Sequence, residues 1–457
     1  MLPKSLKYQS KVESALAKSY RTNIAPMNGT GPYNLGDTII VNIPTRQNLC
    51  LASTESFLKF QLQVLNTSAS ANNYRFDSGG AHGLIQRLRV FSGSNLLEDI
   101  DNYGLLAKML FDLQQPSDSA LGKNNVLCGT RNDMTALTNT NATYQQNQNV
   151  SVYSTNSGES LGTGIAATTG KTTTRTYCLN LISIVGALNS ANYFPLWACS
   201  SAPLRVEIQL VDQVYKFCAC TSNSSTIEIK NCEYIANFIE LNDHALSIVH
   251  DSLQGQPLQF CVPSYRNFQY SFAVAASSTT TQVNMPVPAK FSSLKSLFLC
   301  TRDQQQGAAG YFPHSTVKYG ISNYYWRLGS QVVPTKYPDT TTEMFAEAVK
   351  AVGSLADISH QPSIDITSYT LDVSPNTSDT TITNNSGSFY IGLDVEQYSA
   401  SDRSSIFCGY NSNTDDIFAV INYSGSSGSA SITMRFDAYA LFDEVLVFEN
   451  NTCYAKF

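Results

Sequence analysis

The stretch Ile432 to Phe448, ITMRFDAYALFDEVLVF, has a cousin 205 residues earlier in IEIKNCEYIANFIEL, Ile227 to Leu241. Shifted by 205, Ile227 falls on Ile432, Ile229 on Met434, Tyr234 on Tyr439, Ala236 on Leu441 and Leu241 on Leu446. In both copies apolar residues alternate as in a strand with one face on a core, then change phase across a five-residue gap before the Tyr. A β-bulge or bend in each strand would produce that change.

Further matches lie upstream. Val41-Asn42-Ile43-Pro44 is answered by Val283-Asn284-Met285-Pro286 at an offset of 242, and LRVFSGS, ending at Gly93-Ser94, by YWRLGSQ with Gly329-Ser330 at 236. The helical pattern of residues 102 to 113 is answered at 341 to 352, and Tyr177-Cys-Leu-Asn-Leu by Tyr390-Ile-Gly-Leu-Asp at 213. The offset falls in one direction along the chain, as two copies of one topology would show if the second had shorter loops. A period near 200 means duplicated domains and excludes a solenoid, whose units are about 20–50 residues.

Length and composition agree. The 457 residues suit two domains, and only 14% are charged, against about 25% in an average globular protein, while Ser, Thr, Asn and Tyr are plentiful. This favours strands joined by polar loops. Lys4, Lys7, Lys11, Lys18 and Arg21 outweigh Glu13, so residues 1 to 21 carry +4 and the remainder, given −6 in total, carries −10. A basic arm on an acidic body suggests two different neighbours and argues against a surface that coats nucleic acid throughout. No apolar run of 18 residues occurs, and lysines interrupt the first 20 where a signal peptide needs its apolar segment.

The expected organisation is a basic arm over 1–33, containing a short amphipathic helix or a solvated tail, and a first β domain over 34–242 with a long polar loop at 135–176. A connector helix capped by Asp243, with its linker, covers 243–262, and a second β domain covers 263–457. About eight strands per copy, with a helix inserted after the third or fourth, suit an all-β architecture of two consecutive antiparallel eight-stranded jelly rolls.

Catalytic and metal chemistry do not assemble in this reading. The five histidines, His82, His244, His250, His314 and His360, are far apart and expected at the surface or in caps. Cys218, Cys220 and Cys232 lack the spacing of a zinc site and are expected as buried thiols. Gly164 to Thr172 imitates a phosphate loop but separates its glycines by five residues instead of four, and no strand or helix flanks it. Asp99 and Asp101, and Asp415 and Asp416, read as solvated loop carboxylates. No catalytic residue, cofactor, metal or small-molecule substrate is expected.

The paired VNIP and VNMP strands, the twin Gly-Ser turns followed by helices, and the twin closing strands with Tyr234 and Tyr439 resemble the double jelly-roll major capsid proteins of the PRD1 and adenovirus lineage. The resemblance covers roughly residues 34 to 457 and lies in the architecture. It implies a homotrimer whose six jelly rolls form a pseudo-hexagonal capsomer of an icosahedral shell, in a virion assembled inside the host cell. Partners would be neighbouring capsomers, penton and minor capsid proteins. The arm, through Lys4, Lys7, Lys11, Lys18 and Arg21, would lie on the inner face against a neighbour, an inner membrane or the genome, and the 135–176 loop would form an outward tower. Trimer packing is expected to use Phe111, Met344 and Phe345. Two alternatives remain at this point. One is a glycan-cleaving double jelly-roll hydrolase, with Glu98, Asp99, Asp101 and Asp339 as its candidate acids; the other is a receptor-binding spike.

Overall fold

A computed structural model of the chain describes residues 16–66, 72–130, 164–167, 172–186, 193–219, 225–274, 281–303, 311–353, 355–356, 362–374, 386–397, 408–423 and 432–457. Eight strands build a first unit: β1 (Ala17–Ile24), β2 (Thr38–Ile43), β3 (Phe57–Asn66), β4 (Ile85–Ser92), β5 (Asn95–Asp101), β6 (Thr172–Leu179), β7 (Leu204–Leu210) and β8 (Ser225–Leu241). Eight more build a second: β9 (Leu258–Val274), β10 (Thr281–Val287), β11 (Leu294–Arg302), β12 (Ile321–Leu328), β13 (Gln331–Val333), β14 (Tyr390–Asp394), β15 (Ile417–Tyr423) and β16 (Ile432–Glu449).

The two units repeat one another in these sixteen strands; the first adds Tyr33–Asn34 and Leu49–Leu51 beside β8, and the second adds the C-terminal strand Thr452–Lys456 beside β16. The first has sheets ordered β1-β8-β3-β6 and β2-β7-β4-β5; the second has β9-β16-β11-β14 and β10-β15-β12-β13. Every neighbouring pair is antiparallel. Helix α1 (Tyr103–Gln114) follows β5, and its counterpart, numbered α3 below, follows β13. Each repeat seen in the sequence falls on equivalent elements: VNIP and VNMP on β2 and β10, the Gly-Ser turns after β4 and β12, and the closing stretches on β8 and β16.

Alternation explains why these segments are strands. In β7, Leu204, Val206, Ile208 and Leu210 are buried and the residues between them half-buried. The inward rows of the first unit form one apolar cluster, which reaches Tyr390, Tyr439 and Phe448 of the second unit, and the inward rows of the second form another that includes Trp326, Met344 and Phe436.

The phase change in the two closing stretches has two different causes. In β8 it is a bulge: the pairing with β3 slips between Lys230 and Glu233, Asn231 takes φ 49°, and the Cys232 amide donates to the Thr30 carbonyl. In β16 the register with β9 is unbroken from Ile432 to Phe448, so the expected second bulge is absent. Met434, Phe436, Ala438, Ala440 and Phe442 face the second core, whereas Asp437 and Tyr439 turn to the first unit. Burial on both faces, not a slip, makes this strand read as out of phase.

The edges of the expected domains also move. Residues 17–24, expected in the arm, are β1, paired with β8 from Ala17↔Leu241 to Ile24↔Tyr234. The helix expected within residues 2–19 is therefore absent from 16–19, and residues 2–15 lie outside the described residues. Strand β9 starts at Leu258, inside the expected linker. Most of the 135–176 loop is outside the described residues, but Gly164–Ala167 pairs with Asn72–Arg75 and Thr172 opens β6.

Connector helix α2 (Asp243–Leu253) has no buried residue, and its cap is Asn242, one position before the expected Asp243. The Asn242 side chain accepts from the Ala245 amide at 2.8 Å. Replacing Asn242 by Ala should cost the helix about 1 kcal/mol. Hydrogen exchange of the amides of 243–253 should quicken about fivefold while the global unfolding midpoint stays put.

Candidate assembly site: the seam between the two units

Helix α1 is buried on nearly every side, because it lies between the two units rather than on a surface. Its sequence YGLLAKMLFDLQ carries one cation and one anion four residues apart, Lys108 and Asp112, with side chains 0% and 5% exposed. The Lys108 ammonium donates to Asp112 at 2.6 Å and, across the seam, to the Gly387 carbonyl at 2.9 Å and to the Ser388 and Tyr390 hydroxyls, each at 3.0 Å. Asp112 accepts from Ser78 at 2.6 Å, Ser388 at 2.8 Å and Tyr390 at 2.7 Å. Both charges are thereby satisfied in a dry site, the condition for keeping a buried ion pair.

A second anchor stands on β16. Asp437, 1% exposed, pairs with Arg302 at 2.5 Å and accepts from the Asn102 amide group at 2.6 Å. The Tyr439 hydroxyl donates to the Asn102 carbonyl at 2.9 Å. Tyr234, its counterpart in β8, donates instead to Val185 within the first unit. One repeated letter thus serves a core in one copy and the seam in the other.

A third anchor joins Asp77 to His314, whose amide donates to the carboxylate at 2.9 Å. Burial pushes the Asp77 carboxyl up, but the His314 and Lys108 contacts outweigh it and hold it below its ordinary value. Gly104 lets the parts meet: a Cβ there would lie 2.9 Å from Gly83 Cα and 3.0 Å from the His314 ring. His82 is also buried, against Tyr103 and Phe111, and burial drives its pKa down to about 3. These two histidines are interior, contrary to the surface expectation; His244 and His250 lie on exposed α2, and His360 is outside the described residues.

Other expected site residues are dispersed. Lys18 and Arg21 sit on β1, with Arg21 over the Phe57 ring, and Lys4, Lys7 and Lys11 lie outside the described residues. In helix α3 (Thr341–Val352), Met344 is fully buried in the second core, so it is withdrawn from any contact with another copy. Phe111 and Phe345 are half-buried, against His82 and Tyr369 respectively. The candidate acids are not gathered: Glu98 is buried, Asp99 is paired with Arg87 at 2.6 Å, and Asp339 is exposed. Asp101 alone of the four lines the seam's cavity of about 720 Å³, alongside Gln86, Gln269, Arg302 and His314. Among the described residues no group of three metal-ligating side chains occurs.

No protein-family model matches the sequence, and no curated protein matches it. Solved structures do match, over nearly the whole of both chains. The Sputnik virophage structure aligns with a TM-score of 0.59 at 12% identity, covering 100% of this chain and 92% of that one. The capsid of the virus PBCV-1 aligns at 0.59 and 10% identity, covering 98% and 99%, and the mavirus major capsid protein at 0.54 and 10%, covering 100% and 95%. The fold is the double jelly roll. Its two jelly rolls are the units described above, and the three anchors fasten one to the other.

Proposed function

We propose that the chain is the major capsid protein of an icosahedral virus, located in the shell of the virion and assembled inside the host cell. The observation that carries this reading is the duplication itself: two jelly rolls of identical strand order, locked by buried charges. Three such rigid pairs present six similar edges, which turns threefold symmetry into near-sixfold packing. The likeness to the PBCV-1 capsid and to the mavirus major capsid protein supports the same role.

In this reading three copies form the capsomer, which meets other capsomers, penton and minor capsid proteins. The basic residues Lys4, Lys7, Lys11, Lys18 and Arg21 meet an inner neighbour, membrane or genome. Phe111 and Phe345 retain partial exposure for packing between copies, joined by Ile366 and Leu355, which are 80% and 61% exposed. Sedimentation velocity at micromolar concentration should give one trimeric species. A stable monomer under those conditions would overturn the proposal.

A further inference from the structure

We propose that Glu98, Ser264 and Glu444 form a proton-held clasp between the two jelly rolls, closed while its carboxyls carry protons and loosened when alkali removes them. Glu98 lies on β5 of the first jelly roll and Glu444 on β16 of the second; each is 1% exposed. Ser264, 2% exposed on β9, stands beside both carboxyls. One oxygen of Glu98 accepts from the Ile184 amide at 2.8 Å. The other, Glu98 Oε1, and Glu444 Oε1 have no hydrogen-bond partner.

Two carboxylates in one dry site with no cation between them cannot both stay ionised. The groups facing the pair are Asp99 beside Glu98, Tyr103 from α1, Arg266 and Cys261 from β9, and Cys453 from the C-terminal strand. Arg266 is the one cation among them, and its guanidinium lies over the rings of Phe457, Phe291 and Phe442 at 5.0, 5.8 and 6.0 Å. Burial, reinforced by Glu444, keeps Glu98 far above the usual carboxyl range, and burial pushes Glu444 up to about 8. Burial also holds the Cys261 thiol up at about 12 and raises Cys453 and Tyr103, so these groups stay neutral while the acids titrate.

The sign follows from linkage. The folded chain holds protons that the unfolded chain releases near pH 4.5, so stability is fully present below that value and falls as pH rises towards about 8 and beyond. The clasp concerns one chain and does not depend on the capsid reading, which a failed test would leave intact.

The test compares melting of the full chain between about pH 6 and about pH 9 with that of Glu98→Gln/Glu444→Gln, whose amides keep the protonated shape without a titratable proton. The natural chain should lose several degrees over this range and the variant less than half as much. An equal loss in both, or none in the natural chain, overturns the clasp. Should the variant not fold, infrared spectra of the natural chain decide. A protonated-carboxyl band present at neutral pH and fading near pH 8 supports the clasp, and its absence at neutral pH refutes it.

Discussion

Replacing Lys108 by Met should lower the stability of the chain by about 3–5 kcal/mol, the largest loss expected from any one charged side chain. The substitution keeps the volume of the stem but leaves Asp112, 5% exposed, as an uncompensated anion. It also removes a donor from the Gly387 carbonyl, so both sides of the seam lose a partner. Asp112→Leu added to Lys108→Met should recover most of the loss, because removing both charges abolishes the desolvation cost as well as the attraction. Urea unfolding of the two variants checks this. If the double variant is no more stable than the single one, the pair is not the electrostatic unit that its geometry describes.

Asp437→Ala comes next, with an expected loss of about 3 kcal/mol, since it strands Arg302, 11% exposed, and frees the Asn102 amide group. Its effect should be local to the seam. Hydrogen exchange should rise first along α1 and β16, with the β2-β7-β4-β5 sheet still protected. Uniform loss of protection throughout the chain would mean that the two jelly rolls unfold as one body and that Asp437 is simply a core residue.

Much of the double jelly roll was legible because duplication multiplies weak signals. β2 and β10 are unremarkable strands alone, yet VNIP and VNMP in one order with four other matches point to a shared topology. β1 was not legible: AKSYRTNI lies at a sheet edge, and its polar residues, needed where one flank is open, read as a solvated arm. The first residues of β9 were hidden by Pro263, which usually demotes a strand.

The seam was the least legible part, since its anchors come from positions far apart in the chain. Lys108 nevertheless left a trace, as a Lys and an Asp four residues apart inside an otherwise apolar helix, a pattern that fits neither a solvated face nor a plain core. β16 left another. A strand with Asp437 and Tyr439 set among inward apolar residues is buried on both sides, and its second face needs a partner. Met344 was misjudged because α3 presents one face to its own core, and sequence alone does not say which of two adjacent apolar residues lies there.

Electron microscopy of the purified chain tests the central claim most directly. Class averages should show a threefold particle with a six-cornered outline, each corner one jelly roll. Averages dominated by single two-lobed particles, at concentrations where the protein is folded, would contradict it.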